Sequence, residues 1–398
     1  MNALHIAARA GSVERTVALI SRGAVDIDQG DPKGMTPLMV AACFGHPRVV
    51  RVLLSKGASA SLVGDEGVTA LHFSAEGGHL AATKLLAKAG ADLEAKTSRK
   101  GGTPLHKAAA EGHSEVMRVL IEAGANPNSR RWNGSTPLQM AAYTGNVASI
   151  KVLLRAKANP LLTCPGPTGH PHVPLDVAAS QGHSGVAHEL IREYGVEGCG
   201  GSSGGVDALQ AAAENDHVEM MSILTCAGVV DTGSALIGAV SNGRESSAKY
   251  LLQQRERKAS GQRAGYLDGG CSYSPRITRL LLDAGVDTTM AARVPDEGGV
   301  AYTPLALVDR LIKKIEGKDD EESRLRSLEA NRRLLLRVEA VHAISWLWAR
   351  DAPPTTHAAA NGTDRATKTV STPLMSMLPI LRRRAGRPRV LLVALFRW

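Results

Sequence analysis

A chain of 398 residues has room for two or three globular domains or for one long array. Its composition, 43% apolar but only 3% aromatic, favours thin helical layers of Ala, Leu, Val and Ile over a single large core. The formal charge of +9 sits at one end: residues 311–398 hold 17 Lys and Arg against 9 Asp and Glu, leaving the first 310 residues with an excess of one and no electrostatic reason to expect direct nucleic-acid binding.

The first 20 residues carry Arg9, Glu14 and Arg15 and lack a continuous apolar run, so they do not read as a signal peptide, and secretion is not expected. They open on Ala3-Leu4-His5-Ile6-Ala7-Ala8 with Gly11, inside a pattern whose preceding loop and polar capping unit are missing, as in a truncated start. Thr36-Pro37-Leu38, Thr69-Ala70-Leu71, Thr103-Pro104-Leu105 and Thr136-Pro137-Leu138 then recur at 33, 34 and 33 residues. Each is followed by alanines and a glycine turn, as in Ala41-Ala42-Cys43-Phe44-Gly45-His46. A second apolar run ends in Gly-Ala, as in Val52-Leu53-Leu54 before Gly57-Ala58. The residue types explain the pattern: Thr caps a helix N-terminus, Pro fits the first turn, Gly closes the helix, and Ala lets neighbouring helices approach.

This in-phase T-P-L-H-x-A-A-x-x-G-H and L-L-x-x-G-A-D pattern resembles the ankyrin-repeat family over about three-quarters of the chain. The resemblance implies an all-α ankyrin-repeat solenoid of stacked helix-turn-helix units with hairpin loops. Such units bury their apolar faces only against one another. After residue 160 the pattern drifts. Pro174-Leu175-Asp176 begins a sixth unit after a Pro/Gly-rich loop, Ala208-Leu209 a seventh and Ser234-Ala235-Leu236 an eighth; Ile277 to Gly285 reads as the second helix of a ninth. From Thr303 the glycine turn does not return. The acidic start Asp319-Asp320-Glu321-Glu322 leads into a helical pattern with Leu334, Val338, Val341, Ile344 and Trp348 on one stripe, suited to closing the apolar end of the stack. Arg333 to His342 resembles endings of large protist ankyrin proteins. The expected domains are residues 1–300 as a solenoid of about nine units, clearest over 36–160, residues 301–352 as a helical C-terminal cap, and residues 353–398 as a basic, disordered tail.

No catalytic constellation emerges. Of 13 histidines, His5, His72 and His106 sit at the T-P-L-H position, and His46, His79, His113 and His183 follow turn glycines. That placement is architectural, no pair has zinc-like spacing, and the resemblance implies imidazoles that bridge neighbouring loops. Gly200-Gly201-Ser202-Ser203-Gly204 matches a nucleophile elbow formally, but its Gly/Ser surroundings read as a flexible connector. The five cysteines, Cys43, Cys164, Cys199, Cys226 and Cys271, are odd in number and widely spaced, as reduced thiols are. The two sequons at Asn133 and Asn361 have no meaning in a chain that is not secreted. The best membrane candidate, Leu334 to Trp348, contains Arg337, Glu339 and His342. No enzymatic activity, cofactor or metal is expected. Five arginines within 382–389 suggest nuclear import or a nonspecific anionic contact, against the plain reading of a solvated tail, and Val390 to Phe396 is too short to span a bilayer.

The resemblance implies a concave partner-binding surface of hairpin tips and first helices. Its tips hold Lys33, Glu66, Arg99, Lys100, Arg131, Trp132 and Asn133; its helices hold Phe44, Glu76, Glu111 and Tyr143. Trp132, Tyr143 and Arg131 are the first candidates, because scarce aromatics and arginine anchor interfaces. The competing reading is that Trp132 packs over the next loop and Phe44 against its neighbour's helix. Basic tips with acidic residues deeper suggest a partner of mixed charge, either a flexible peptide or a folded face. The expected function is a cytoplasmic or nuclear scaffold or adaptor for a protein partner, monomeric by preference. The alternatives are a nuclear regulatory protein imported through the arginine cluster and the targeting fragment of a larger enzyme.

Overall fold

The computed structural model describes residues 2–23, 25–165, 171–258, 275–283, 292–293, 301–302, 308 and 326–336. The chain divides into two compact units, Met1–Ala239 and Val240–Trp398.

The first unit is an all-α array of paired antiparallel helices. The pairs are α1 (Ala3–Arg9) with α2 (Val13–Ser21), α3 (Pro37–Cys43) with α4 (Pro47–Ser55), and α5 (Ala70–Glu76) with α6 (Leu80–Lys88). Next come α7 (Pro104–Glu111) with α8 (Ser114–Glu122), α9 (Pro137–Thr144) with α10 (Val147–Arg155), α11 (Pro174–Gln181) with α12 (Ser184–Cys199), and α13 (Val206–Glu214) with α14 (Val218–Cys226). α15 (Ser234–Ser241) follows. First helices pack on first helices of the next pair and second on second, from α1 and α2 through α13 and α14.

The helices start where the sequence says they should. Thr36 Oγ1 accepts from Met39 N at 3.3 Å and Thr136 Oγ1 from Gln139 N at 3.3 Å. Pro37, Pro104, Pro137 and Pro174 occupy the first helical turn, where a missing N–H costs nothing. Leu38, Leu71, Leu105, Leu138 and Leu175 are fully buried, each stabilising by roughly 2 kcal/mol. The alanine pairs Ala41-Ala42, Ala108-Ala109, Ala141-Ala142 and Ala178-Ala179 are buried too, setting the close spacing of the first helices.

Two polar ladders join the pairs. At the starts of α1, α5, α7 and α9 a side chain reaches forward: His5 Nε2 to Met35 O at 2.7 Å, His72 Nε2 to Gly102 O at 3.0 Å, His106 Nε2 to Ser135 O at 3.1 Å, and Gln139 Nε2 to His172 O at 2.9 Å. After each turn another reaches back. Nε2 of His46, His79, His113, His183 and His217 donates to the carbonyls of Arg9, Cys43, Glu76, Tyr143 and Ser180 at 2.9–3.2 Å. Asn146 stands in once, donating to Gly112 O at 3.4 Å. A carbonyl only accepts, so every Nε2 in these bonds carries the proton.

The connector between α12 and α13 departs from expectation. Instead of a flexible Gly/Ser linker it is a tight turn, with α12 interrupted at Gly195, a 3₁₀ turn at Gly201–Ser203, Gly205 N donating to Gly200 O at 3.1 Å, and Cys199 buried. Backbone bonds hold it where side chains are absent. Helix, not strand, precedes Ser202, so the nucleophile-elbow geometry is lacking. The Pro/Gly-rich loop near residue 165 is closed by β1 (Cys164–Pro165) pairing antiparallel with β2 (Pro171–His172).

In the second unit, α16 (Glu245–Lys258) buries Ala248, Leu251 and Leu252, and α17 (Pro275–Asp283) packs on it with Ile277 and Leu281 buried. β3 (Ala292–Arg293) pairs antiparallel with β4 (Ala301–Tyr302). Residues 326–336 are helical, with Leu328, Asn331 and Leu335 buried and Leu334 half-buried. Of the expected stripe only Leu334 lies among the described residues. Val338 through Trp348, most of the rest of 301–352 and the whole of 353–398, including the arginine cluster, lie outside the described residues.

Candidate functional site

The turns that precede α5, α7 and α9 are tied edge to edge. Asp65 N donates to Lys33 O at 3.1 Å, Ser98 N to Glu66 O at 2.7 Å, and Trp132 N to Lys100 O at 3.2 Å. Every tip candidate therefore stands in one row, and Lys33, Glu66, Arg99, Lys100, Trp132 and Asn133 are exposed. The row ends in the densest cluster. The Trp132 indole donates through Nε1 to Ser98 O at 3.1 Å and lies so close over Gly101 that a Cβ there would come within 2.6 Å of the ring. Lys96 Nζ sits 4.9 Å from the ring centroid. Trp132 does pack on a loop, but the preceding one rather than the next, and it remains 62% exposed.

Arg131 turns from the tip toward the first helices. Its Nη1 lies 3.1 Å from Met140 Sδ, while its Nε is buried with no partner. Burial pulls the guanidinium below its ordinary range. Asn133 serves the turn, its Oδ1 accepting from Ser135 N at 3.2 Å.

On the first helices, Phe44 is 46% exposed, with the guanidinium of Arg9, at the end of the neighbouring helix α1, 5.2 Å from its ring centroid. Glu76 is half-buried and pairs with Lys107 Nζ at 2.8 Å. Glu111 is exposed, and Tyr143, 58% exposed, offers its ring outward while its carbonyl accepts from His183. The geometry brings together Arg131, Trp132 and Lys100, pairs Glu66 with Arg99 at 3.9 Å, and leaves Lys33 and Phe44 two repeats from Lys100 and three from Arg131 and Trp132. Sequence reasoning missed Lys96, Lys107 and Met140. Lys107 and Met140 were findable as the residues after the T-P-L-H histidine in consecutive repeats. Lys96 was not, because its position over Trp132 depends on loop packing.

Among the described residues no group of three His, Cys, Asp or Glu side chains could hold a metal ion, and no helix is long and apolar enough to cross a membrane. Cys43, Cys164, Cys199 and Cys226 are free thiols.

A family model for ankyrin repeats in three copies matches residues 1–63, 57–131, 94–164 and 175–261. The chain belongs to the ankyrin-repeat family, whose architecture is a protein-interaction scaffold. Its curated relatives include Palmitoyltransferase AKR1 of Saccharomyces cerevisiae, 36% identical over 100 residues, which is 24% of this chain and 13% of that protein. Ankyrin repeat domain-containing protein 63 of Homo sapiens is 43% identical over 76 residues, covering 18% of this chain and 20% of the relative. Protein phosphatase 1 regulatory subunit 27 of Homo sapiens is 42% identical over 65 residues, 16% and 42%. The chain spans about 13% of the length of the first relatives it matches.

Proposed function

We propose that this chain is a non-catalytic intracellular adaptor that holds a protein partner against its turn tips and first helices, centred on Arg131, Trp132 and Tyr143. The observation that carries the reading is the exposure of Trp132 and Tyr143 on one unit's tip and first helix, in a protein with few aromatics. Trp132 is held by its indole hydrogen bond and by Gly101, so little side-chain entropy is lost when a partner covers it. The relatives are matched only across their repeats, and one is named as a regulatory subunit of a phosphatase, a role consistent with binding rather than chemistry.

Site-specific photocrosslinking tests the reading. A benzophenone amino acid replacing Tyr143 or Trp132 is expected to capture a discrete protein in cells, and the same group replacing the exposed Arg51 on α4 is not. Equal capture from all three positions would remove this surface from consideration.

A further inference from the structure

We infer that Arg131, edged by Trp132 and backed by Lys96, is an anion subsite that takes the side-chain carboxylate of an acidic residue on the protein partner. The inference rests on the adaptor reading above.

The starting point is a cation without a carboxylate partner. One repeat earlier the groove balances itself, with Lys107 on α7 paired to Glu76 on α5 at 2.8 Å. In the next repeat the position of Glu76, seven residues after the capping threonine, is occupied by Ala110. Met140 takes the position of Lys107 there, so that ion pair has no counterpart, and Arg131 reaches Met140 from the tip instead. Arg131 accordingly has Nη1 on a methionine sulfur and a buried Nε without any acceptor. Among the described residues no carboxylate oxygen lies within 4.0 Å of Arg131, Lys96 or Lys100. Arg99, by contrast, has Glu66 at 3.9 Å.

A partly desolvated guanidinium without an acceptor is costly in the free chain and gains most from a charge-assisted bond on binding. The field there is positive beyond the contact distance, since both Arg131 and Lys96 disfavour a proton on the buried His106. Trp132, the next residue in the chain and 62% exposed, offers an apolar ring on which the partner's segment can pack alongside such an ion pair.

Selection of random displayed peptides on the full chain, followed by affinity measurement, tests this. Peptides whose binding needs Trp132 or Tyr143 are expected to share an Asp or Glu. They should bind Arg131→Gln about tenfold more weakly, bind Lys96→Gln with a smaller loss, and weaken with salt. Changing that acid to its amide should cost the same on the wild type and nothing further on Arg131→Gln. Far-UV dichroism and melting of both variants confirm folding, and Lys96→Gln reports independently if Arg131→Gln melts early. Selected peptides that need Trp132 and Tyr143 yet ignore both Arg131→Gln and amidation would overturn the carboxylate subsite while leaving the adaptor reading intact. Displacement by inorganic phosphate but not by acetate would reassign the subsite to phosphate. Peptides indifferent to Trp132→Ala and Tyr143→Ala alike would remove the adaptor surface and the subsite together.

Discussion

His106 Nε2 donates to Ser135 O at 3.1 Å while its Nδ1 faces Thr103 Oγ1 at 2.9 Å, so one buried ring closes its own helix start and holds the next repeat's turn. Accepting from Thr103 N at Nδ1, at 3.3 Å, requires the neutral ring, whereas the bond to Ser135 O would survive protonation. Burial, with Arg131 and Lys96 adding like-charge repulsion, lowers its pKa from 6.5 to about 4 despite the opposing bond to Ser135. Between those values the unfolded chain binds the proton and the folded chain does not, so stability falls as pH drops from 6.5 toward 4. Gln139 occupies the same position one repeat on and makes the equivalent forward bonds, to Leu162 O and His172 O. His106→Gln is therefore expected to match the wild type within about 1 kcal/mol at pH 7.5 and to exceed it by on the order of 2 kcal/mol near pH 4.5. Urea unfolding at the two pH values checks this. A residual acid sensitivity should persist, because burial also lowers the His72 pKa.

Asp176 shows the opposite sign. It stands where α1, α5, α7 and α9 place His or Gln, is 2% exposed, and accepts from Val173 N at 2.9 Å through Oδ2 while Oδ1 has no partner. Burial, against the Val173 bond and with Asp207 adding repulsion, raises its pKa from 3.8 to about 7. Across that window the folded chain binds the extra proton, so stability is lost as pH rises from 3.8 to about 7. Asp176→Asn keeps the acceptor and removes the charge. It should stabilise the chain at pH 8 by a few kcal/mol and leave it nearly unchanged at pH 3.8, as read from the variant-minus-wild-type difference in denaturant midpoints.

These two residues mark how far the sequence could be read. The capping threonines, first-turn prolines and architectural histidines were legible because each is a local requirement repeated in phase, and one period aligns them all. That Asp176 at a histidine's position would be buried and half-satisfied was not legible, since it depends on the Gly-rich turn folding tightly around Cys199 rather than remaining a linker. Missed pairings at the site have the same origin: Lys96 over Trp132 and Arg131 against Met140 are packing outcomes that no spacing encodes. His217 and Asn146, by contrast, continue the back-reaching ladder at the expected register and could have been assigned from it.

The turn glycines make the ladder possible, and Gly145 tests it. Its φ is +74°, and a Cβ would come 2.6 Å from His183 Nδ1. An alanine there meets both left-handed strain of about 1–2 kcal/mol and displacement of the ring that donates to Tyr143 O at 3.0 Å. Gly145→Ala is expected to destabilise by about 2–4 kcal/mol, more than His183→Ala, which loses only the bond. The comparison is made by equilibrium unfolding. Equal losses would mean that the backbone adapts without strain.

Cys199 and Cys226 should separate cleanly in reactivity. Cys199 is fully buried, its thiol donates to Gly195 O at 2.9 Å, and burial, with Asp176 adding negative charge nearby, pushes its pKa up to about 12. A thiolate is the nucleophile in disulfide exchange, so the buried group is doubly protected, by access and by protonation. Cys226, at the end of α14, is exposed. Treatment of the native chain with an aromatic disulfide at pH 8, with peptide mapping of the modified thiols, is expected to label Cys226 rapidly. Cys199 should be labelled only at the rate at which the connector opens. Asp176→Asn, by stabilising that connector's surroundings at pH 8, should slow the Cys199 reaction further and leave the Cys226 rate unchanged. Acceleration of Cys199 in that variant would show instead that the Asp176 carboxylate is what keeps the thiol protonated.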